Sequence, residues 1–341
     1  MITFKPKQVT KKLLSALPDR ARDVLEKRYG LSKDGENFTL EAIGQTYGIT
    51  RERVRQIENY GIQSIQKSDI YSEFEEVFTE LHQIIESLGG GLIAEHVLLD
   101  EITTDPLLRN HIYFLLVIGN PFYRSKENSG YAHRWYTEKR TADYVESALK
   151  NVYNGLKRDE LIEEEEMLNR FREELIEIAD KHDDVVLKRW LQISKDIARN
   201  PLGEWGDATS PNVRVKGIRD YAYLVVKRHG SPMHFREVAE AIEDLFGKKA
   251  HTATTHNELI KDERFVLVGR GLYALTEWGY SAGVVKDVLR DILVQHGPLS
   301  REEIIDKVRK ERYVKDNTIV VNLQDTNIFK RLANSTYIVV E

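Results

Sequence analysis

The chain has 341 residues, 31% of them charged, and its formal net charge of −5 is mildly acidic. This length allows two or three average domains, or more if they are small, and the acidic balance means that any surface for nucleic acid must be local. Cysteine is absent, which excludes disulfides, thiolate zinc sites and cysteine nucleophiles and fits a reducing compartment.

Neither a secretion signal nor a membrane span is indicated. The N-terminal stretch MITFKPKQVTKK has no apolar core of the kind that a signal peptide needs. The longest uncharged apolar run, Ile112 to Gly119, is far too short to cross a bilayer. We therefore expect a soluble cytoplasmic protein that does not bind membranes.

The first segment, Met1 to Ser68, is locally basic, with 13 Lys and Arg against 8 Asp and Glu, a net +5. Within it, TLEAIGQTYGITRERVRQ (Thr39 to Gln56) predicts two short helices joined by a tight turn. Gly48 falls where the first helix must end and the backbone turn left-handed, which glycine does without steric cost. Thr50 is placed to cap the second helix.

The second helix of this pair keeps Val54 and Ile57 on its buried side and leaves polar side chains outside. Arginine can pair with guanine, glutamate can accept from the cytosine amino group, and glutamine can pair with adenine. These side chains therefore suit a helix that lies in the major groove. The alternative is a charged amphipathic helix with ordinary salt bridges. The outward residues are Arg51, Glu52, Arg53, Arg55 and Gln56.

LSALPDRARDVLEKRYGL (Leu14 to Leu31) and TLEAIGQTYGITRERVRQIE resemble region 4 of the primary sigma-factor family of bacterial RNA polymerase, over about residues 10 to 66. The resemblance implies a helix-turn-helix unit within residues 1–70 that reads the upstream promoter hexamer. Double-stranded DNA and the polymerase core are the implied partners. The implied base-reading residues are Arg51, Glu52, Arg55 and Gln56, and the implied backbone contacts are Leu40, Glu41, Thr50 and Arg53.

The sequence departs from this family just after the core of the match, Thr50 to Glu58. Where the family usually has basic residues, this chain has Tyr60, Gln63, Ser64 and Gln66. Fewer cations near the phosphates weaken the salt-dependent part of DNA affinity. We therefore expect weak binding by this element alone.

Residues 71–140 predict a winged-helix-like unit. A periodic helix precedes Gly89-Gly90-Gly91, helices are expected at Ile93 to Ile102 and Leu107 to Ile118, and Asn128-Ser129-Gly130 marks a hairpin turn. The aromatic residues around that turn are interpreted as wing packing, with a platform for stacking bases as the alternative. They are Phe122, Tyr123, Tyr131, His133, Trp135 and Tyr136.

Residues 141–211 predict a similar, more helical and acidic unit. Asp159 to Asp180 holds ten acidic residues against Arg170 and Arg172, a surface that repels phosphate. We interpret it as a solvated helix face, the alternatives being a protein-binding surface or a competitor with nucleic acid for a basic channel. The turn-rich stretch NPLGEWGDATSP (Asn200 to Pro211) is the expected domain boundary.

Residues 212–278 predict three helices and a hairpin with Gly269-Arg270-Gly271 at its tip. GIRDYAYLVVKRHGSPMHFREVAEAI and RFVLVGRGLYALTEWG resemble the HARE-type helix-turn-helix family, which is also represented by the N-terminal domain of the polymerase delta subunit. The resemblance implies DNA binding or docking on transcription or chromatin machinery. Candidate DNA contacts, with an ordinary charged surface as the alternative, are Lys248, Lys249, His251 and Arg270.

Residues 279–341 repeat this plan as a degenerate second copy. Gly297 corresponds to Gly230 and Tyr337 to Tyr273, offsets of 67 (297 − 230) and 64 (337 − 273) residues, close to one domain length. The tip Asn334-Ser335-Thr336 lacks the glycine-arginine pattern. We expect this copy to be structural or to bind protein.

Nothing in the sequence favours catalysis. His251 and His256 are five residues apart, which does not place them on one helical face as a zinc pair requires. The triple glycine lacks the lysine and the preceding strand of a phosphate loop. Asp183, Asp184 and Lys188 would be nuclease candidates but lie on a predicted helix start without flanking strands. We expect no enzyme activity, metal, cofactor or small-molecule substrate.

The predicted fold class is mainly α with small β wings, arranged as a tandem array of helix-turn-helix and winged-helix units. The predicted function is a transcription protein that reads promoter-like DNA and associates with RNA polymerase. It is not a complete sigma factor, because no segment resembles the sigma region that melts the promoter. The alternatives are a delta-like accessory subunit that acts mainly through protein contacts, and a DNA-binding regulator unrelated to polymerase.

Overall fold

The computed structural model describes residues 2–280, 285–312 and 314–340. The chain divides into two compact units, unit 1 with Met1–Arg199 and Glu204–Thr209, and unit 2 with Asn200–Gly203 and Ser210–Glu341. The division falls inside the expected connector, although residues 205–207 of that connector form a strand. The predicted fold class, mainly α with small antiparallel wings, is confirmed.

Unit 1 begins with five helices. Gly30 ends the second helix in the left-handed conformation, with a φ of 62°, which leaves the chain free to turn toward the third helix. The five helices are α1 (Pro6–Leu14), α2 (Asp19–Tyr29), α3 (Leu40–Tyr47), α4 (Arg51–Gln66) and α5 (Asp69–Ser72).

The next part of unit 1 contains a three-stranded antiparallel sheet of order β1-β3-β2. Residues 93 and 94 were expected to be helical, and this prediction is wrong, because Leu92, Ile93 and Ala94 pair with β3 as a third strand. The elements are α6 (Glu75–Gly89), β1 (Leu92–Ala94), α7 (Glu95–Ile102), α8 (Pro106–Ile118), β2 (Tyr123–Ser125) and β3 (Arg134–Tyr136).

The tip of the β2–β3 hairpin is held by the last part of unit 1. The Ala132 amide donates to the Ile193 carbonyl at 2.9 Å, and the Lys195 amide donates to the Gly130 carbonyl at 2.8 Å. The wing tip is therefore packed on protein. The elements that follow it are α9 (Lys139–Gly155), α10 (Glu164–Glu174), a 3-10 turn (Ala179–Lys181), α11 (Asp184–Leu191), β4 (Ile197–Arg199) and β5 (Trp205–Asp207).

One hydrophobic core runs through the first two predicted units without a break at residue 70. Leu25 and Ile65 from the N-terminal helices share it with Phe114 and Leu115 of α8, and all four are fully buried. At the C-terminal end of α4, the Gln66 side-chain amide donates to the Ile118 carbonyl at 3.0 Å. The helix-turn-helix therefore packs against α8. The five-domain division stays a prediction.

Unit 2 repeats one plan twice, with sheet orders β6-β8-β7 and β9-β11-β10. Met233 pairs with Tyr273 in the first copy, and Leu299 pairs with Tyr337 in the second. The first copy contains α12 (Ile218–His229), β6 (Met233–His234), α13 (Phe235–Phe246), α14 (Thr252–Lys261), β7 (Phe265–Leu267), β8 (Leu272–Leu275) and a 3-10 turn (Thr276–Trp278). The second contains α15 (Val285–His296), β9 (Leu299–Ser300), α16 (Arg301–Glu311), α17 (Asp316–Leu323), β10 (Phe329–Arg331) and β11 (Thr336–Val339).

Within the described ranges, no helix combines the length and the apolar character that crossing a bilayer requires.

Candidate nucleic-acid interface

The turn between α3 and α4 has the geometry of a helix-turn-helix. Gly48 is left-handed, with a φ of 65°. The Thr39 hydroxyl accepts from the Ala42 amide at 3.1 Å, and the Thr50 hydroxyl accepts from the Arg53 amide at 3.2 Å. Both helices are therefore capped at their first turn. The cap fixes the residue at which α4 begins, and hence which side chains lie in its first turn.

A small core of three buried residues holds α3 and α4 together. Val24 of α2, Ile43 of α3 and Val54 of α4 form its centre. Leu40 and Ile49, half-buried, close its edge. The third helix of the motif, α2, thus lies behind the pair, and the opposite side of α4 is left to solvent.

A buried carboxylate ties α4 to α2. Glu58 is 9% exposed and accepts from the Tyr29 hydroxyl at 2.9 Å and from the Arg28 guanidinium at 3.3 Å. Burial, and then the Glu58 charge, raise the pKa of the Tyr29 hydroxyl, so this group stays a donor. Sequence reasoning missed this network, and its signal is a carboxylate four residues after Val54, on the buried side of α4.

All four predicted base-reading side chains lie on the solvent side of α4, and all four are exposed. The Arg55 guanidinium donates to both Glu52 carboxylate oxygens, at 2.9 and 2.6 Å. This hydrogen bond to Arg55 lowers the pKa of the Glu52 carboxyl. Exposed pairs of this kind contribute little to stability, so they leave these donors and acceptors free to exchange onto a ligand. The remaining two residues are Arg51 and Gln56.

The predicted backbone-facing residues are less uniform. Glu41 and Thr50 are exposed at the starts of their helices, whereas Leu40 is half-buried against the small core. The Arg53 guanidinium donates to the Gln56 side-chain oxygen at 3.0 Å. Arg53 therefore contacts a predicted base reader on the same helix.

In unit 2 the predicted contacts lie on two separate segments. Lys248 and Lys249 are exposed in the turn before α14, and His251 is exposed at the N-cap position of that helix. Arg270 is exposed at the tip of the β7–β8 hairpin. Sequence reasoning missed Arg264. Its guanidinium donates to Asn212, Asp220 and Asp262 at 2.8, 2.9 and 2.6 Å. These contacts give Arg264 a structural role.

The residues considered for a nuclease site have structural partners. The Asp183 carboxylate caps α11 by accepting from the Val186 amide at 3.0 Å. Asp184 pairs with Arg172, and Lys188 pairs with Glu164 at 3.1 Å. Across the residues that the structure describes, no three His, Cys, Asp or Glu side chains are grouped so as to hold a metal ion.

Two segments of the chain match known families of DNA-binding helix-turn-helix domains. Residues 13–67 match the family described as "Sigma-70, region 4". Residues 218–278 match the HARE-HTH family, whose description includes "ASXL, restriction endonuclease HTH domain". Both resemblances expected from the sequence are confirmed, and neither family is enzymatic. The two matches support a DNA-binding role connected with transcription.

Curated sigma factors resemble the chain over about 55 residues. The RNA polymerase sigma factor SigA of Nostoc sp. (strain PCC 7120 / SAG 25.82 / UTEX 2576) is 51% identical over 55 residues, which are 16% of this chain and 14% of that protein. Sigma factor SigA1 of Synechococcus elongatus is 52% identical over 54 residues, 16% of this chain and 13% of that protein. The chain therefore spans only about a seventh of these relatives.

Proposed function

We propose that the chain is a cytoplasmic bacterial transcription protein that binds promoter-like duplex DNA through α4 and associates with RNA polymerase, without being a complete sigma factor. The observation that carries the proposal is the arrangement of α4. Its buried side is fixed by Val54 and Glu58, while its capped N-terminal turns present every predicted base reader to solvent. The match of residues 13–67 to sigma region 4 supports the upstream promoter hexamer as the class of site.

In this proposal the residues of α3 and α4 that contact DNA form two groups with different roles. Arg51, Glu52, Arg55 and Gln56 read base edges in the major groove. Thr50, Arg53, Glu41 and Leu40 lie along the DNA backbone, which fixes the register of α4 but carries no sequence information. No catalytic step, cofactor or small-molecule substrate is part of this function.

A gel shift with an upstream-hexamer duplex tests the DNA-binding part. Arg51→Ala and Gln56→Ala are each expected to weaken specific retention by about 1–3 kcal/mol, because each removes a base contact. Gln63→Ala is the matched control, since Gln63 is exposed on the same helix about two turns further on. Retention of a scrambled duplex with the same affinity as the hexamer would contradict the proposal.

A pull-down with RNA polymerase core tests the second part. We expect the full chain to retain the core enzyme, and the Arg51→Ala variant to retain it equally. DNA retention without any core enzyme would instead identify a DNA-binding regulator unrelated to polymerase.

Exposed apolar residues in unit 2 favour a second candidate, a delta-like accessory subunit that acts through protein contacts. Ile260 on α14 is 61% exposed, and Leu267 on β7 is 45% exposed. Such residues suit a protein partner better than phosphate. Ile260→Asp should then abolish core retention while hexamer binding remains.

The basic residues of unit 2 are proposed as additional DNA contacts rather than base readers. If Lys248, Lys249, His251 and Arg270 touch phosphates, neutralising one lysine should weaken binding to all sequences alike. The slope of log affinity against log salt should also fall by about one. An unchanged salt slope in Lys248→Ala and Lys249→Ala would assign these residues to an ordinary charged surface.

A further inference from the structure

Two tyrosines lie stacked on the outer face of the β2–β3 wing. Tyr123 and Tyr136 are directly opposite each other in the antiparallel register. Their ring centroids are 5.6 Å apart, and the ring planes are inclined by 22°. We name this pair the tyrosine platform.

Tyr123 takes no part in the packing that holds the wing to the core, whereas Tyr136 is half-buried against a hydrophobic core of unit 1. On the other face of the hairpin, Phe122 and Trp135 are buried, and the Trp135 indole donates to Glu95 at 3.0 Å. Tyr123 is 54% exposed. Among the described residues, neither Tyr123 nor Tyr136 has a hydrogen-bond partner for its hydroxyl. The outer ring is thus presented to solvent without a structural contact of its own beyond the stack.

The surroundings leave one side of the platform accessible. β2 is an edge strand, because the sheet order is β1-β3-β2. Lys139 and Arg140 follow Tyr136 at the start of α9, with 72% and 83% of their side chains exposed. Lys139 pairs with Asp143 at 2.6 Å and Arg140 with Glu177 at 3.5 Å, so the local positive charge is partly neutralised. A ligand that binds by stacking fits this site better than one that binds by charge alone.

Duplex DNA is a poor fit for the platform. The wing tip cannot enter a groove, because the backbones of Gly130 and Ala132 are hydrogen-bonded to those of Lys195 and Ile193. An intact duplex also hides the faces of its bases, whereas a single strand exposes them to aromatic side chains.

We infer that the tyrosine platform is a second nucleic-acid site, which stacks an unpaired base of single-stranded DNA on the open face of Tyr123. The inference rests on the proposed function in that DNA is taken as the ligand of unit 1. It adds a site for unpaired bases on the same core as the duplex-reading helix α4, since Phe122 and Trp135 belong to the core that also holds Leu25 and Ile65. Lys139 and Arg140 contact the neighbouring phosphates.

Fluorescence anisotropy with the full chain and a labelled oligothymidylate of about 12 nucleotides tests the inference. Thymidylate is the probe because it forms no internal duplex. Tyr123→Ala is expected to weaken its binding about 5- to 150-fold, the range for loss of one stacked base. Tyr123→Phe keeps the ring and should bind within about twofold of the parent chain. Tyr123→Leu keeps apolar area without the ring and should behave like the alanine variant.

Arg51→Ala separates this inference from the proposed function. It should reduce retention of the hexamer duplex and leave oligothymidylate binding unchanged, while Tyr123→Ala does the reverse. A parent chain that binds oligothymidylate but does not distinguish the hexamer duplex from a scrambled one would contradict the role of α4 and leave the platform unaffected. Thermal unfolding followed by circular dichroism shows whether the variants fold like the parent chain.

Three results would overturn the inference. The parent chain could fail to bind oligothymidylate, or Tyr123→Ala could bind it as well as Tyr123→Phe does. In the third, Tyr123→Ala loses polymerase core in the pull-down while its oligothymidylate binding is unchanged, which would make the platform a protein contact.

Discussion

Glu58 shows how a single buried carboxylate positions the recognition helix. Because it accepts from Tyr29 and Arg28 of α2, Glu58→Ala leaves a buried hydroxyl without its acceptor, which costs about 1–3 kcal/mol. We expect this loss in the free energy of unfolding from urea titrations, together with weaker hexamer binding. Asn59→Ala, an exposed neighbour on α4, should change stability by less than about 0.5 kcal/mol. Equal stability of the two variants would remove Glu58 from this role.

His111 of α8 gives the fold a predictable pH dependence. It is 2% exposed, neither ring nitrogen has a hydrogen-bond partner within the described part of the chain, and burial lowers its pKa below the ordinary 6.5. The unfolded chain therefore binds a proton more readily, so stability is lost as pH falls below 6.5.

We expect the free energy of unfolding to fall through this group as the pH drops below 6.5, by at most about 1.4 kcal/mol per pH unit. His111→Leu should reduce that slope when urea titrations are compared above and below this pH. His182, whose pKa burial also lowers, retains its own contribution in the variant and is the internal reference. An identical slope in both proteins would show that His111 is not the responsible group.

At the scale of the helix-turn-helix, two glycines differ in why they are needed. A Cβ on Gly44 would lie 2.7 Å from the Ile49 carbonyl oxygen, whereas one on Gly48 would meet nothing within 4 Å. Gly44→Ala must therefore move the backbone of the turn, at a cost of about 1–3 kcal/mol, and should displace α4. Gly48→Ala introduces only the strain of a left-handed backbone, which costs about 1–2 kcal/mol. Gly48→Asn should cost less, because asparagine adopts this conformation more readily.

Chemical shifts of α4 and hexamer binding distinguish the two cases. Large shift changes and loss of binding are expected for Gly44→Ala, and near-parental spectra for Gly48→Asn. If Gly44→Ala bound DNA like the parent chain, the close approach of α3 to the turn would not be required for DNA binding.

Local rules were sufficient for the elements whose signals lie within a few residues. Gly48, Thr39 and Thr50 are turn and capping residues, so the α3–α4 motif could be predicted from its own sequence. The strand at residues 92–94 could not, because its pairing partner β3 is about forty residues away and an apolar run of three fits a helix equally well. The Glu58 network was missed for the same reason, since its donors come from another helix.

At the scale of unit 1, the shared core makes the DNA-reading motif depend on a helix outside the matched segment. Phe114 of α8 is fully buried, and its ring centroid lies 5.2 Å from that of Tyr29 in α2. Phe114→Ala is expected to destabilise unit 1 by about 3–5 kcal/mol and to weaken hexamer binding although no DNA contact is altered. Hydrogen exchange of the α4 amides measures this directly. Unchanged protection of α4 in this variant would mean that the two parts fold separately.

The sequence predicted the kinds of unit in this chain better than the way they are joined. Each helical period and hairpin turn is a local signal, but the insertion of α8 beneath α1, α2 and α4 requires knowing which apolar faces meet. The Asn110 side-chain amide, for instance, donates to the Gly30 and Gly35 carbonyls at 3.0 Å. The sequence alone does not distinguish an exposed asparagine from one whose side chain caps the end of another helix.

Selection of bound duplexes from a randomised pool by the full chain tests the central claim most directly. The account predicts enrichment of one short motif of promoter-hexamer type. Arg51→Ala and Gln56→Ala should each relax the preference at a different base position while the rest of the motif persists. Enrichment of no motif, or of one that neither substitution alters, would show that α4 does not read DNA in this protein.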